Sequence, residues 1–178
     1  IVARHEVFRT TFSIVDGQPE QIVHRPGTVE MSAISLAGSA IEQREQMLER
    51  TLQEFVRRPF DLEKAWPLRA ALIQQSDEEH LLVLVTHHIA SDGWSNSILF
   101  KEISALYEAY CRKNDSPLTN LPVQYADYAV WQREWLQGEV LQQQLAYWKK
   151  QLKDISPLEL PTDRPRPAML RHLGRTKS

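Results

Sequence analysis

Cysteine is almost absent from this chain, and the single residue, Cys111, has no partner for an internal disulfide. A disulfide-stapled fold is excluded, and the composition suits a reducing compartment, so a cytoplasmic location is expected. Cys111 falls near a helix end and reads as a partly packed helix residue rather than a nucleophile. Long apolar runs are missing as well. The longest, Leu81 to Val85, is far short of the roughly 20 residues that span a bilayer. No basic segment leads into an apolar stretch, so a secretory signal is unsupported and no membrane partner is expected. An excess of charge of one sign is also missing: the net charge is −2 and no block of five or more like charges occurs. Without a basic stripe, nucleic acid is not an expected partner.

What is present is ordinary for a globular domain: 178 residues, 42% hydrophobic and 25% charged, enough for one core. The chain opens at Ile1, just before a dense charged motif, and stops at Lys177-Ser178 with no helix stop. It is read as a piece of a longer polypeptide.

Punctuation residues divide it into elements. Thr10 to Val15 is rich in β-formers and stops at Asp16-Gly17, a strong turn pair, before the pattern resumes over Glu20 to His24, so a hairpin is expected. Pro26 to Ser35 reads as a loop or an edge strand. Ser39 with Glu42 forms a capping box for a helix carrying Leu48, Leu52 and Phe55, which Arg57-Arg58 and Pro59 close. Leu68 to Ile73 reads as a strand, Gln75 to Glu79 as a polar turn, and Leu81 to Thr86 as a central strand buried on both faces. A helix is expected just past Asp92-Gly93, with Leu99, Ile103, Leu106 and Tyr110 on one face. After a loop over Asn114 to Pro122, two further helices are expected at about Val123 to Gln137 and Val140 to Lys153, broken near Gly138. Pro157, Pro161, Pro165 and Pro167 make the last stretch an extended strap. Irregular alternation of helices and strands implies an α/β or α+β fold with a mixed sheet.

The densest chemistry is His87-His88-Ile89-Ala90-Ser91-Asp92-Gly93-Trp94-Ser95, where a strand ends and a loop turns into a helix. Loops at the carboxyl ends of strands are where α/β sites are usually built. Successive side chains of a strand point to opposite faces, so only one imidazole can face a given cleft. A packed pair of structural histidines and a site for acyl transfer are both compatible with these residues. A metal shared by His88 and Asp92 is not expected: Gly93 disfavours a helix through the segment, and no third ligand stands at a recognisable spacing.

The same segment resembles the HHxxxDG signature of non-ribosomal peptide synthetase condensation domains. Arg4-His5-Glu6-Val7-Phe8-Arg9-Thr10-Thr11-Phe12 is similar to that family's early R-H-E-x-L-R-T-x-F motif, with Phe8 in place of Leu. Tyr125 to Trp131 (YADYAVW), Leu145 to Trp148 (LAYW) and Leu158 to Pro167 (LELPTDRPRP) follow in the family's order. The resemblance implies a chloramphenicol-acetyltransferase-like lobe, a mixed β-sheet flanked by helices. Residues 1–155 would form most of the N-terminal lobe and 156–178 the strap toward a C-terminal lobe.

It also implies an acyltransferase joining a carrier-bound amine to a carrier-bound thioester. No cofactor is expected on the chain itself, since substrates arrive on the 4'-phosphopantetheine of carrier proteins. The expected partners are those carrier domains and an adjacent adenylation domain. His88 is the expected catalytic residue, as general base or as positioner of the amine. His87 is expected in a structural role. Asp92 is expected to pair with an arginine, Arg9 first and Arg4 second, with orientation of an imidazole as the other reading. Gly93 fits the helix entry, where a side chain would block substrate and backbone N–H groups could face an oxyanion. Trp94 and Ser95 are candidates for channel lining. Tyr125, Tyr128, Trp131 and Trp135, spaced along one helix face, are expected to pack in a core or between lobes. Arg164, Arg166, Arg171 and Arg175 form a mildly basic tail. His5, His24, His80 and His172 are given no functional role. An epimerase-like or ester-forming relative, or a carrier-docking domain without catalysis, would keep the same motifs. The ordinary L-amino-acid subtype is the closer match.

Overall fold

The computed structural model describes residues 1–38, 40–158, 160, 161, 163, 165 and 169, without the side chains of Ile41 and Glu42. The capping box at Ser39 and Glu42, the four tail arginines and His172 therefore lie outside the described residues. Packing divides the chain into two units, Ile1–Glu134 and Trp135–Ser178.

In the first unit the charged motif forms a 3₁₀ turn, Glu6–Arg9, that runs directly into strand β1 (Thr10–Val15). Thr10 Oγ1 donates to Glu6 O at 2.7 Å, bonding turn and strand together. β1 pairs antiparallel with β2 (Gln18–Val23), so that Val15 faces Gln18 across a two-residue loop. Asp16 (φ 51°) and Gly17 (φ 76°) both occupy the left-handed region, which matches the right-handed twist of a hairpin and suits Asp-Gly.

The second sheet is mixed, in the order β3 (Met31–Ser35), β4 (Leu68–Gln74), β5 (His80–Thr86). β3 runs parallel to β4, and β4 antiparallel to β5. β3 is thus the edge strand that the Pro26 to Ser35 stretch left open. Among the described residues the centre is β4, where Ala71 and Ile73 are buried. Among the described residues β5 pairs on one side only and is half-exposed, which corrects the reading of Leu81 to Thr86 as the central strand. A continuous aliphatic run reports attraction to a core, but does not fix the order of strands.

Helix α1 (Ile41–Arg57) lays Leu48, Leu52 and Phe55 on its half-buried side. Its terminal carbonyls are satisfied by an unforeseen group. Arg69, on β4, donates to Phe55 O, Arg58 O and Pro59 O while its guanidinium stacks 4.0 Å over the Phe60 ring. Burial pushes the Arg69 guanidinium down from its ordinary pKa, assisted by the charge of Arg58.

Helix α2 (Gly93–Cys111) begins where Asp92-Gly93 predicts. Leu99 joins Phe8 and Leu68 in a buried cluster, with Ile103 packed against it. Tyr110 instead lies on the exposed side, as does Cys111. α3 (Tyr125–Trp135) opens with Asp127 Oδ2 accepting from Gln124 N at 2.8 Å. In the second unit α4 spans Gly138–Gln151, with Gly138 in the left-handed region at its start (φ 51°). The described residues from 156 onward form neither helix nor strand. Among the described residues no helix is long and apolar enough to cross a membrane.

Candidate functional site

The two histidines part at the end of β5. His87 stays with the sheet: its N–H donates to Pro67 O at 3.0 Å, its Nδ1 accepts from Ile89 N at 3.0 Å, and its ring stands edge-on to Phe60. The Nδ1 contact leaves the proton on Nε2 when the ring is neutral. His88 lies past the last strand residue, in a turn closed by Ala90 N donating to His87 O at 2.9 Å, and it is exposed. Both histidines lie past the last residue of β5, Thr86, and the turn is what presents His88. Ser91, buried behind it, donates from Oγ to Thr86 Oγ1 at 2.5 Å and ties the loop to the strand.

His88 opens onto a cleft of about 270 Å³ lined by Val7, Ile89, Ala90, Ser91, Asp92, Ser95 and Tyr125. A second recess, about 210 Å³, shares Val7, Ala90, Ser95 and Tyr125 with it and adds His5, Phe8, Ile98 and Leu99. Val7 of the 3₁₀ turn lines both; opposite it stand the His88 to Asp92 loop and Ser95 in the cleft, and Ser95, Ile98 and Leu99 of α2 in the recess. Of the two candidate lining residues, Ser95 lines both spaces. Trp94 does not line either one and is 84% exposed.

Asp92 caps α2. Its Oδ1 accepts from Ser95 N at 2.8 Å and from Ser95 Oγ at 2.7 Å. The Ser95 N–H, then the Ser95 hydroxyl, and more weakly the Trp94 N–H and the charge of His88, hold its carboxyl below the usual range against slight desolvation. Two expectations change here. Asp92 has no arginine partner among the described residues: Arg9 pairs with Glu6 at 3.0 Å and Arg4 with Glu102 at 3.0 Å. Arg9 is instead a buried staple, donating to Val2 O and His24 O as well. Of the backbone N–H groups at this helix entry, that of Ser95 is taken by Asp92 rather than left for an oxyanion. A carboxylate next to a helix start meets free N–H donors before it can reach across to another element.

A depressed carboxyl pKa gives stability that is complete above the unfolded pKa and lost as pH falls through the folded one. Thermal melts should therefore rank wild type close to Asp92→Asn and both above Asp92→Ala near neutral pH. Wild type should lose its lead over Asp92→Ala on acidification, because a protonated carboxyl caps poorly. A pH-independent gap between those two would remove the capping assignment.

Gly93 begins the helix with ordinary φ, and a Cβ there would meet no atom of the chain within 4 Å. Packing within the chain therefore does not require glycine. Tyr128 and Trp131 are 43% and 53% exposed and meet at a 40° tilt with ring centroids 5.6 Å apart, so this pair is not core within its unit. Among the described residues no group of three or more His, Cys, Asp or Glu side chains is placed to hold a metal.

Sequence reading missed Glu102. It is 8% exposed on α2, two turns beyond Ser95, with its Oε1 accepting from Arg4 Nε at 3.0 Å and its Oε2 2.5 Å from His5 Nε2. Burial pushes this carboxyl up, but the hydrogen bonds and charges of His5 and Arg4 outweigh it and hold it below the usual range. The available signal was an acidic residue adjacent to Ile103 in the apolar stripe. Gln124 completes the frame, donating from Nε2 to Arg4 O at 2.9 Å and accepting at Oε1 from Glu6 N at 3.1 Å.

Residues 1–175 match the family described as the condensation domain. The chain is 46% identical over 179 aligned positions to a linear gramicidin synthase polypeptide of Brevibacillus parabrevis, covering 100% of this chain and 4% of that polypeptide. The X-domain from teicoplanin biosynthesis superposes with a TM-score of 0.80 at 31% identity, over 94% of this chain and 37% of that one. The X-domain solved in complex with OxyB gives a TM-score of 0.79 at 33% identity, over 94% of this chain and 36% of that one. The chain thus spans a small fraction of the curated relative and little more than a third of its solved neighbours.

Proposed function

From the premise that this chain belongs to the condensation-domain family, we propose that it is the N-terminal catalytic lobe of a domain that forms an amide bond between two carrier-bound substrates. The observation that carries this reading is the exposed His88 in a cleft whose rear, Ser91 and Asp92, is fixed by hydrogen bonds. The donor is an acyl or peptidyl thioester and the acceptor an aminoacyl group, each tethered through phosphopantetheine to a carrier domain. Attack of the acceptor amine on the thioester carbonyl forms the C–N bond. The C–S bond then breaks, the thiolate leaves on the donor carrier, and the amine loses its proton.

An α-amine titrates near 7.7 to 8.0, so an appreciable part is already neutral at cell pH. His88 therefore has two tasks open to it, holding the amine at attacking distance and taking the proton released as the bond forms. Asp92 and Ser95 fix the helix end beside it. Residues 1–155 serve as the lobe and 156–178 as the strap toward a second lobe. Half of the channel wall is then missing from this chain, and it is inactive alone. Carrier domains and an adenylation domain of the same polypeptide are the partners this reading requires, in the cytoplasm.

A docking domain is the second reading, favoured by the neighbour that was solved in complex with OxyB. The deciding experiment loads the full-length parent protein with an acyl donor and an aminoacyl acceptor on their carriers and weighs the acceptor arm by mass spectrometry. An acceptor heavier by the acyl group, with the linkage resistant to mild base, supports amide synthesis. A base-labile linkage would point to ester formation. An unchanged acceptor alongside retained carrier binding would point to docking.

A further inference from the structure

The recess beside the His88 cleft lies between two elements with no backbone hydrogen bond between them among the described residues: the segment Arg4 to Phe8 and helix α2. What spans them is the apolar contact of Phe8 with Leu99 and, one turn further along the helix, the grip of Arg4 and His5 on Glu102. Ser95, Leu99 and Glu102 succeed one another at helical spacing along one side of α2. On the opposite wall Val7 lines both spaces with Ser95, and His5 lines the recess. The width at His88 thus depends on a spacing set two turns away. A buried carboxylate that loses its partners is strongly disfavoured and protonates or moves toward water, shifting one wall against the other.

We propose that Glu102 is a positioning residue for the His88 site, acting through Arg4 and His5 to fix the separation of the 3₁₀ turn from α2. This inference rests on the amide-forming reading of the cleft. It goes beyond that reading because Glu102, Arg4 and His5 touch neither His88 nor the loop that carries it in the structure's hydrogen-bond network.

The test is Glu102→Gln, His5→Gln and the double variant in the full-length parent protein, with His88→Ala as the reference. Glu102→Gln keeps the volume and removes the charge. It should lower kcat about ten- to a hundred-fold, the scale of a misplacement of around 1 Å, with KM for the carrier-bound substrates little changed. The double variant should be no worse than Glu102→Gln, because both remove one clamp. A readout independent of turnover is the rate at which diethyl pyrocarbonate modifies His88, followed by peptide mass spectrometry. It should change several-fold in Glu102→Gln, while the rate at exposed His80 stays constant. Should Glu102→Gln not fold, His5→Gln, which keeps the Arg4 pair, carries the same comparison. Unchanged kcat and unchanged His88 modification in the folded variants would overturn the positioning role. Wild-type rates in His88→Ala would instead strike the functional reading, while the modification data still decide the role of Glu102.

Discussion

Replacing His88 by alanine should lower the rate of amide formation by about 10²- to 10⁴-fold, the range over which a positioned proton acceptor contributes. The size of the effect follows from the surroundings. Among the described residues His88 is the imidazole that opens onto the cleft where Ser91, Asp92 and Ser95 are fixed, and His87 is held away by Pro67, Ile89 and Phe60. His87→Ala should therefore act on stability first, through the lost ring contact with Phe60 and the lost acceptor for Ile89 N. The His88 variant should melt like wild type, because the ring is exposed and its removal leaves no cavity. Two further measurements divide its two possible tasks. If His88 takes the proton, the wild-type rate falls as the imidazole protonates on acidification, and the alanine variant loses that limb of the profile. If it holds the amine, His88→Gln retains part of the rate and the profile follows the acceptor amine alone. A His88→Ala variant with wild-type turnover would end the assignment.

Much of this site was legible in the sequence, and the parts that were not have a common cause. Asp92-Gly93 marked the start of α2 correctly, because a helix cap is a local event set by side chains three residues apart. The Asp16-Gly17 turn was legible for the same reason: two left-handed residues in a row select that pair. The partner of Asp92 was not legible. Choosing between an arginine on another element and the N–H groups of its own helix needs the three-dimensional distance, and the local donors won. Glu102 was hidden because a lone acidic residue in an amphipathic helix ordinarily faces water. Its burial depends on Arg4 and His5, nearly a hundred positions away. Which strand of the second sheet is central was not legible for a related reason. The aliphatic run at Leu81 to Val85 is richer than Leu68 to Ile73, yet among the described residues the less apolar strand is the one paired on both sides. Long-range pairing, unlike capping, leaves no local mark.

The largest loss of stability should come from Phe8→Ala, at about 3–5 kcal/mol, the usual range for removing a well-packed aromatic side chain. Phe8 is 4% exposed, and with Leu68 of β4 and Leu99 of α2 it forms the buried cluster that joins turn, sheet and helix. Three elements converge on it, so the cavity left by alanine cannot be closed by shifting one of them alone. Phe8→Leu, the residue that the early motif more often carries, should cost much less, because it retains most of the volume and an apolar surface. Denaturant unfolding should separate the two by their midpoints with little change in slope, as expected when compactness is kept. The substitution also reaches the site. Phe8 lines the recess beside His88, so the alanine variant should lose turnover even under conditions where it stays folded. Arg4 and His5 would keep their bonds to Glu102, His5 losing its edge-on contact with the Phe8 ring, and the main loss would be the apolar half of the contact between the 3₁₀ turn and α2. Comparing Phe8→Ala with Glu102→Gln therefore separates the two halves of that contact. The aromatic half should dominate the unfolding midpoint, and the charged half should dominate kcat relative to stability lost. If both variants lost stability and turnover in the same ratio, the contact would be a single packing unit and the division of roles would fail.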